Sequence, residues 1–272
     1  MNNKERKNFR YYWIQFYIII KRLFYFFGGL ILINKAILLY HKISVKEKKE
    51  CPYFSIGEKS FGIMLKGKSL ECFPNYSKEF EKCFIVNNYD KEIIKIGEYL
   101  EGKKCVHFVN RLMTAPLDPE NYKKYDIKDV QLTKISDFGD KTLKKANKYY
   151  LSLDLETHFL MKNMLKFNKY FDQFGSEYQL KAPNTGFLAI AYALELLRPK
   201  TLWVIGLDFY QSDYLVRRPH QSPIDIQRQK MDRINLVEIT ADLFQQYPET
   251  QINFVTYYEG FPNLPNVKIF KS

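Results

Sequence analysis

The chain has 272 residues, enough for one sizeable domain with a small appendage. Its 46% hydrophobic and 26% charged content excludes wholesale disorder. A net charge of +12 points first to nucleic acid, but 11 Lys/Arg against 3 Asp/Glu fall within residues 1–50, so the body is nearly balanced. No nucleic-acid motif is found, and nucleic acid is not an expected partner.

Residues 9–40 read FRYYWIQFYIIIKRLFYFFGGLILINKAILLY, apolar and aromatic but broken by Lys21, Arg22 and Lys35. Neither uninterrupted piece reaches the roughly 18–20 apolar residues that a bilayer-crossing helix needs. No small-residue cleavage site follows the apolar run. A basic segment bearing Trp and Tyr suits a helix lying in the interface of an anionic leaflet. A membrane surface is therefore an expected partner, with a peripheral cytoplasmic location on the inner face. A helical hairpin turning at Gly28-Gly29 and packing on the domain, or a spanning anchor, are the other readings. A polar, charged stretch follows and divides residues 1–54, the appendage and linker, from an α/β body over 55–272.

Cys51, Cys72, Cys83 and Cys105 form no C-x-x-C pair and no metal-ligand spacing. Cys83 and Cys105 open apolar runs, where a reduced thiol is a small core residue.

The body alternates strand-like and helix-like segments. Phe61–Leu65, Lys82–Val86, Cys105–Val109, Thr201–Ile205 and Ile252–Thr256 are short, continuous apolar runs, as in strands covered on both faces. Gly186–Leu197 and Gln227–Gln246 have helical patterns, and Asn184 or Thr185 is a natural N-cap for the first. This order predicts a Rossmann-like, mostly parallel sheet flanked by helices, with ligands at the carboxyl ends of the strands. Several of those ends carry chemistry-bearing residues: Gly67-Lys68-Ser69, Asn87-Asn88, Asn110 and Gly206 through Tyr210. Amide side chains there can both donate and accept toward a base, ribose or sugar. The helix start at Asn184-Thr185-Gly186 offers free backbone N–H groups, a positive dipole end and a hydroxyl, a setting that favours an anion.

The stretch APNTGFLAIAYALELLRPKTLWVIGLDFYQSDYL resembles the core of the small bacterial sialyltransferases of glycosyltransferase family 42. In that family a T-S-G-like turn opens an Ala-rich helix, and a strand follows that ends in G-I-D-F-Y. Here these are Asn184-Thr185-Gly186 and Gly206-Leu207-Asp208-Phe209-Tyr210. A Gly-rich turn at Lys66–Leu70 and strand-end Asn87 and Asn110 fall in the family's order. The resemblance spans about residues 60–225 and implies a GT-A-like sialyltransferase variant. It further implies transfer of sialic acid from a CMP-activated donor to a glycan hydroxyl with inversion, without a metal or other cofactor. On this reading Gly67, Lys68, Ser69, Asn87, Asn110, Asn184, Thr185, Gly186, Gly206 and Asp208 hold the donor. Tyr210 and Tyr214 hydrogen-bond the departing phosphate, and His220 is the general base.

The chemistry of these residue types agrees. Inverting transfer needs a base on the acceptor hydroxyl and charge stabilisation on the leaving group. His220 lies in a polar, irregular stretch, whereas His107 falls within a strand, His158 in a helix-like LETHFL run and His41 in the appendage. No D-x-D pair is present for binding a metal across a diphosphate. Departures from the family's pattern are Lys66 and Lys68 in the Gly-rich turn, a different spacing of Tyr214, and Arg217 and Arg218 near the base. An Arg fork at those positions suits the donor phosphate or carboxylate. A weaker echo of the animal-type sialyltransferases lies in P-N-T-G and in His220 with Asp225. A transferase for another nucleotide sugar or CMP-linked ulosonic acid, and a non-catalytic membrane-surface binding protein, remain open readings. Homo-oligomerisation is compatible with each.

Overall fold

The computed structural model describes residues 53–87, 89–110, 117–134, 148–161, 184–211, 214–216 and 236–271. The segment 9–40, His41, Cys51, Arg217, Arg218, His220, Asp225 and the first part of the helix expected from Gln227 lie outside these residues.

Among the described residues eight strands form one sheet, and every pairing between them is parallel: β1 (Ser60–Met64), β2 (Lys82–Val86), β3 (Lys104–Asn110), β4 (Asp129–Lys134), β5 (Glu156–Met161), β6 (Thr201–Ile205), β7 (Gln251–Val255) and β8 (Val267–Phe270). Their spatial order is β5-β4-β3-β2-β1-β6-β7-β8. The chain therefore winds outward from β1 to β5, then crosses back to β6 and winds outward the other way. Loops leaving β1 and β6 diverge to opposite faces, which makes this seam the topological switch point of the sheet. Helices α1 (Phe73–Tyr76), α2 (Asp90–Ile96), α3 (Pro119–Lys124) and α4 (Thr185–Tyr192), together with the helical segment 236–245, connect the strands. No helix among the described residues is long and apolar enough to cross a membrane.

Continuous apolar runs form the central strands because both faces are covered. Phe61, Ile63, Phe84, Ile85, Val204 and Phe254 are all fully buried. Phe84 meets Phe61, Phe108 and Tyr192 at ring-centroid distances of 4.9, 5.1 and 5.6 Å. Each such side chain buried contributes about 2–3 kcal/mol. Helix α4 lies on this face and is apolar almost all round, with Phe187 through Tyr192 buried, as a helix enclosed by the core must be. It widens into a π-helical turn at Ala193–Leu197 and stops at Arg198, which is left-handed at φ 48°. On the other face Cys83 and Cys105 stand opposite each other in register, with sulfurs 3.3 Å apart. Cys72, Cys83 and Cys105 are buried free thiols.

Tyr53 and Phe54 precede β1 and are buried. Phe54 packs edge-on against Phe61, and the Tyr53 hydroxyl donates to the Gln131 side-chain oxygen.

Strands β4, β5 and β8 are additions to the five strands expected from apolar runs. The LETHFL stretch is corrected from helix to strand: Thr157, His158 and Phe159 pair in register with Val130, Gln131 and Leu132. Its β-branched and aromatic content fits an edge strand, and His158 is held by Asp129 at 2.9 Å.

Candidate active site at the switch point

Beyond the strands, the ladder between β1 and β6 continues for two more bonds. Leu65 N donates to Ile205 O and Gly67 N to Gly206 O, each at 2.8 Å. The two loops thus start side by side. Glycine is required at both. Gly206 has φ +86°, and a Cβ there would lie 2.7 Å from the Leu65 carbonyl oxygen. A Cβ on Gly67 would lie 2.5 Å from an Asp208 carboxylate oxygen and 2.7 Å from Gly206 O. Leu215 N donates to Lys66 O at 2.9 Å, and Gly67 bridges Tyr214 antiparallel, which folds Tyr214 back onto the rim.

Asp208 is 2% exposed, and its carboxylate ties three chain segments together. Ser69 donates its backbone N–H to Oδ2 at 2.9 Å and its hydroxyl to Oδ1 at 2.5 Å, while Tyr257 N donates to Oδ1 at 3.0 Å. Thr256 Oγ1 lies 3.2 Å from the same oxygen. The carboxylate is thus satisfied by donors from the turns after β1 and β7, as a buried charge requires. Sequence gives no hint of Thr256 and Tyr257, which come from 48 and 49 residues downstream.

Immediately after it, Phe209 and Tyr210 both have positive φ, at 47° and 58°. Such values are outliers for bulky residues and store strain of about 1–3 kcal/mol each. Packing holds them. Phe209 stacks on Phe261 at 5.8 Å and meets Tyr258 and Phe254 edge-on. The consequence is that Tyr210 turns toward α4, with its hydroxyl 3.5 Å from Asn184 Nδ2.

Asn184 is the N-cap of α4: its side-chain oxygen accepts from Phe187 N at 2.8 Å. That bond satisfies the third helical N–H. Those of Thr185 and Gly186 precede the first intrahelical acceptor and belong to the positive end of the helix dipole. Gly186 lets this terminus settle against Leu65, since a Cβ would sit 3.1 Å from a Leu65 methyl.

On the far side, Asn87 follows β2 with φ 60°, its N–H donating to Phe108 O at 2.9 Å. Its carbonyl oxygen lies 2.7 Å from Nε2 of His107, and Nδ1 of that imidazole lies 2.7 Å from the Tyr122 hydroxyl. Burial depresses the His107 pKa to about 4, with the Lys66 charge acting the same way and the Asn87 carbonyl opposing both.

These segments enclose a crevice of about 670 Å³, a volume that includes the open space at its mouth. Of the expected residues, Gly67, Asn87, Asn184, Thr185, Gly186, Gly206, Asp208, Tyr210 and Tyr214 line it. Leu65, Lys66, Val86, Leu207, Phe209 and Leu236 complete the lining. Lys66 is a site residue that sequence reveals only as a departure from the family turn. Ser69 is fully buried behind the crevice, bound to Asp208, and Lys68 Nζ lies 5.8 Å from the centroid of the Tyr257 ring. Asn110 closes β3, its backbone in register with Thr133. An ammonium, two helix-terminal amides, phenol hydroxyls and amide side chains around one cleft can bind an anion joined to a polar, hydrogen-bonding body.

A second cluster lies at the opposite end of the strands. Asp129, Glu156 and His158 bring one ligand atom each within 4.8 Å of one another, at the start of β4 and in β5. His158 Nε2 and Asp129 Oδ1 are hydrogen-bonded, and the cluster is remote from the crevice in the strand direction.

Comparison with known proteins adds no family: no protein-family model matches the chain, and a search of curated proteins finds no match.

Proposed function

We propose that the chain is a glycosyltransferase of sialyltransferase type, moving an acidic sugar from a CMP donor to a glycan hydroxyl with inversion. One observation carries the reading. The crevice at the switch point is lined by Gly67, Asn87, Asn184–Gly186, Gly206–Tyr210 and Tyr214, segments scattered along the chain that the resemblance singles out independently. In this reading the nucleoside lies along the turns after β1 and β2. The donor's phosphate and carboxylate face the amides of Thr185 and Gly186 and the Lys66 ammonium. Tyr210, turned inward by its left-handed backbone, donates to the phosphate oxygen that leaves. The acceptor oxygen bonds to the anomeric carbon as the bond to phosphate breaks, CMP departs, and the acceptor's proton passes to His220 as base. Arg217 and Arg218 supply further positive charge, and residues 9–40 hold the enzyme on an anionic membrane surface where its glycan acceptors lie.

The test is incubation with CMP-sialic acid and a panel of galactosides, comparing wild type with His220→Ala and Tyr210→Phe. Acceptor-dependent CMP release is expected from wild type, reduced about 100-fold or more in His220→Ala. Equal product from His220→Ala removes that base. UDP release from UDP-sugars instead replaces the CMP donor with another nucleotide sugar. Nucleotide binding without any release leaves a non-catalytic binding protein.

A further inference from the structure

His107 sits in the middle of β3, in register with Ile85 on one side and Val130 on the other, and is fully buried. Packing alone would be met there by another Val or Ile, so the imidazole's polarity asks for a reason. Both ring nitrogens are engaged. A carbonyl oxygen can only accept, so Nε2 carries the proton and donates to Asn87 O at 2.7 Å. Nδ1 is then an acceptor and takes the Tyr122 hydroxyl proton at 2.7 Å, while the same Tyr122 oxygen accepts from Leu117 N at 3.2 Å. A relay of three hydrogen bonds thus runs from the start of the α3 region, by way of the β3 imidazole, to the carbonyl of Asn87. That residue lines the crevice and holds φ 60°, a left-handed conformation that Asn tolerates better than other non-glycine residues but that still needs partners to hold it.

We propose that His107 is a positioning residue for the nucleotide crevice: its Nε2–H fixes the Asn87 carbonyl and thereby keeps the turn after β2 in the left-handed form that presents Asn87 to the ligand. The proposal rests on the nucleotide reading for its ligand but not for its geometry. Tyr122 and Leu117 set the tautomer, and His107 touches no substrate.

The experiment uses the full chain and three variants. His107→Phe keeps the ring volume and removes both nitrogens. His107→Gln returns an N–H at the Nε2 position, and His107→Asn returns one only at the Nδ1 position. CMP affinity is measured by calorimetry, with thermal unfolding to verify folding. Losses of about tenfold in His107→Phe and His107→Asn, with most of the affinity recovered in His107→Gln, are expected. Wild-type affinity in both His107→Phe and His107→Asn overturns the proposal. If His107→Phe does not fold, the contrast between the Gln and Asn variants decides. If wild type itself binds no CMP, the nucleotide reading fails, and crystal structures of unliganded variants judge His107 instead. Asn87 still left-handed in His107→Phe or His107→Asn overturns it, and a relaxed turn there with the left-handed turn kept in His107→Gln supports it.

Discussion

The two walls of the crevice solve one problem by different means. Each presents a non-glycine residue at positive φ, Asn87 on the β2 side and Phe209-Tyr210 on the β6 side. The β6 wall is anchored by a carboxylate: Asp208 gathers Ser69 from one segment and Thr256 and Tyr257 from another. The β2 wall hangs on a neutral relay through His107 and Tyr122. A charge held by several donors is costly to disturb, whereas a neutral imidazole depends on staying neutral. The β6 wall is thus pinned through a carboxylate, and the β2 wall through bonds that protonation of one imidazole would disturb.

The largest effect is expected from Asp208→Ala. It strands the Ser69 and Tyr257 N–H groups and leaves the Ser69 hydroxyl only the Val255 carbonyl at 3.2 Å, and should cost about 3 kcal/mol in denaturant unfolding, with Asp208→Asn near half that. If Asp208→Ala costs under about 1 kcal/mol, the β6 wall is not anchored as described.

Next in size is a pH dependence peculiar to the β2 wall. The folded pKa of His107, about 4, lies below the ordinary 6.5, so between these values the unfolded chain binds the extra proton. Stability from this group is complete above pH 6.5 and declines as pH falls toward 4. Relative to His107→Gln, wild type should lose on the order of 2 kcal/mol between pH 7 and 4.5, measured by chemical denaturation at each pH. Parallel curves for the two proteins would show that the imidazole is not buried in its neutral form.

The smallest effect separates strain from chemistry. Tyr210→Gly should relieve the left-handed backbone and leave stability unchanged or raised by about 1 kcal/mol, while the transfer activity proposed above falls. A clear destabilisation would mean that the Tyr210 ring holds the turn rather than being held by it.

How far these walls were legible from the amino-acid sequence differs in the same way. Five central strands announce themselves as continuous apolar runs, and their Gly and Asn termini mark the rim. DVQLTK and ETHFLM do not, because polar residues make up half or more of each. Their polar residues are tolerated through partners that only the fold supplies, the buried Gln131 through Tyr53 and the part-buried His158 through Asp129. VKIF is too short to stand out. At the site, the G-L-D-F-Y motif points to Asp208 and Tyr210 but not to their division of labour, with one carboxylate buried as an anchor and one phenol lining the crevice. That division depends on Thr256 and Tyr257 returning beside β6. His107 reads as an ordinary strand residue until parallel register brings the Asn87 carbonyl within reach of its ring.

The winding of the sheet has a last consequence. Leu65 to Asn87 form one bank of the cleft and Asn184 to Tyr214 the other, so neither half of the polypeptide owns a complete binding surface. A molecule lodged between them interacts fully only once β6 has docked beside β1. It would act as a clasp on that one ladder, tightening the join between early and late chain in proportion to the logarithm of its concentration.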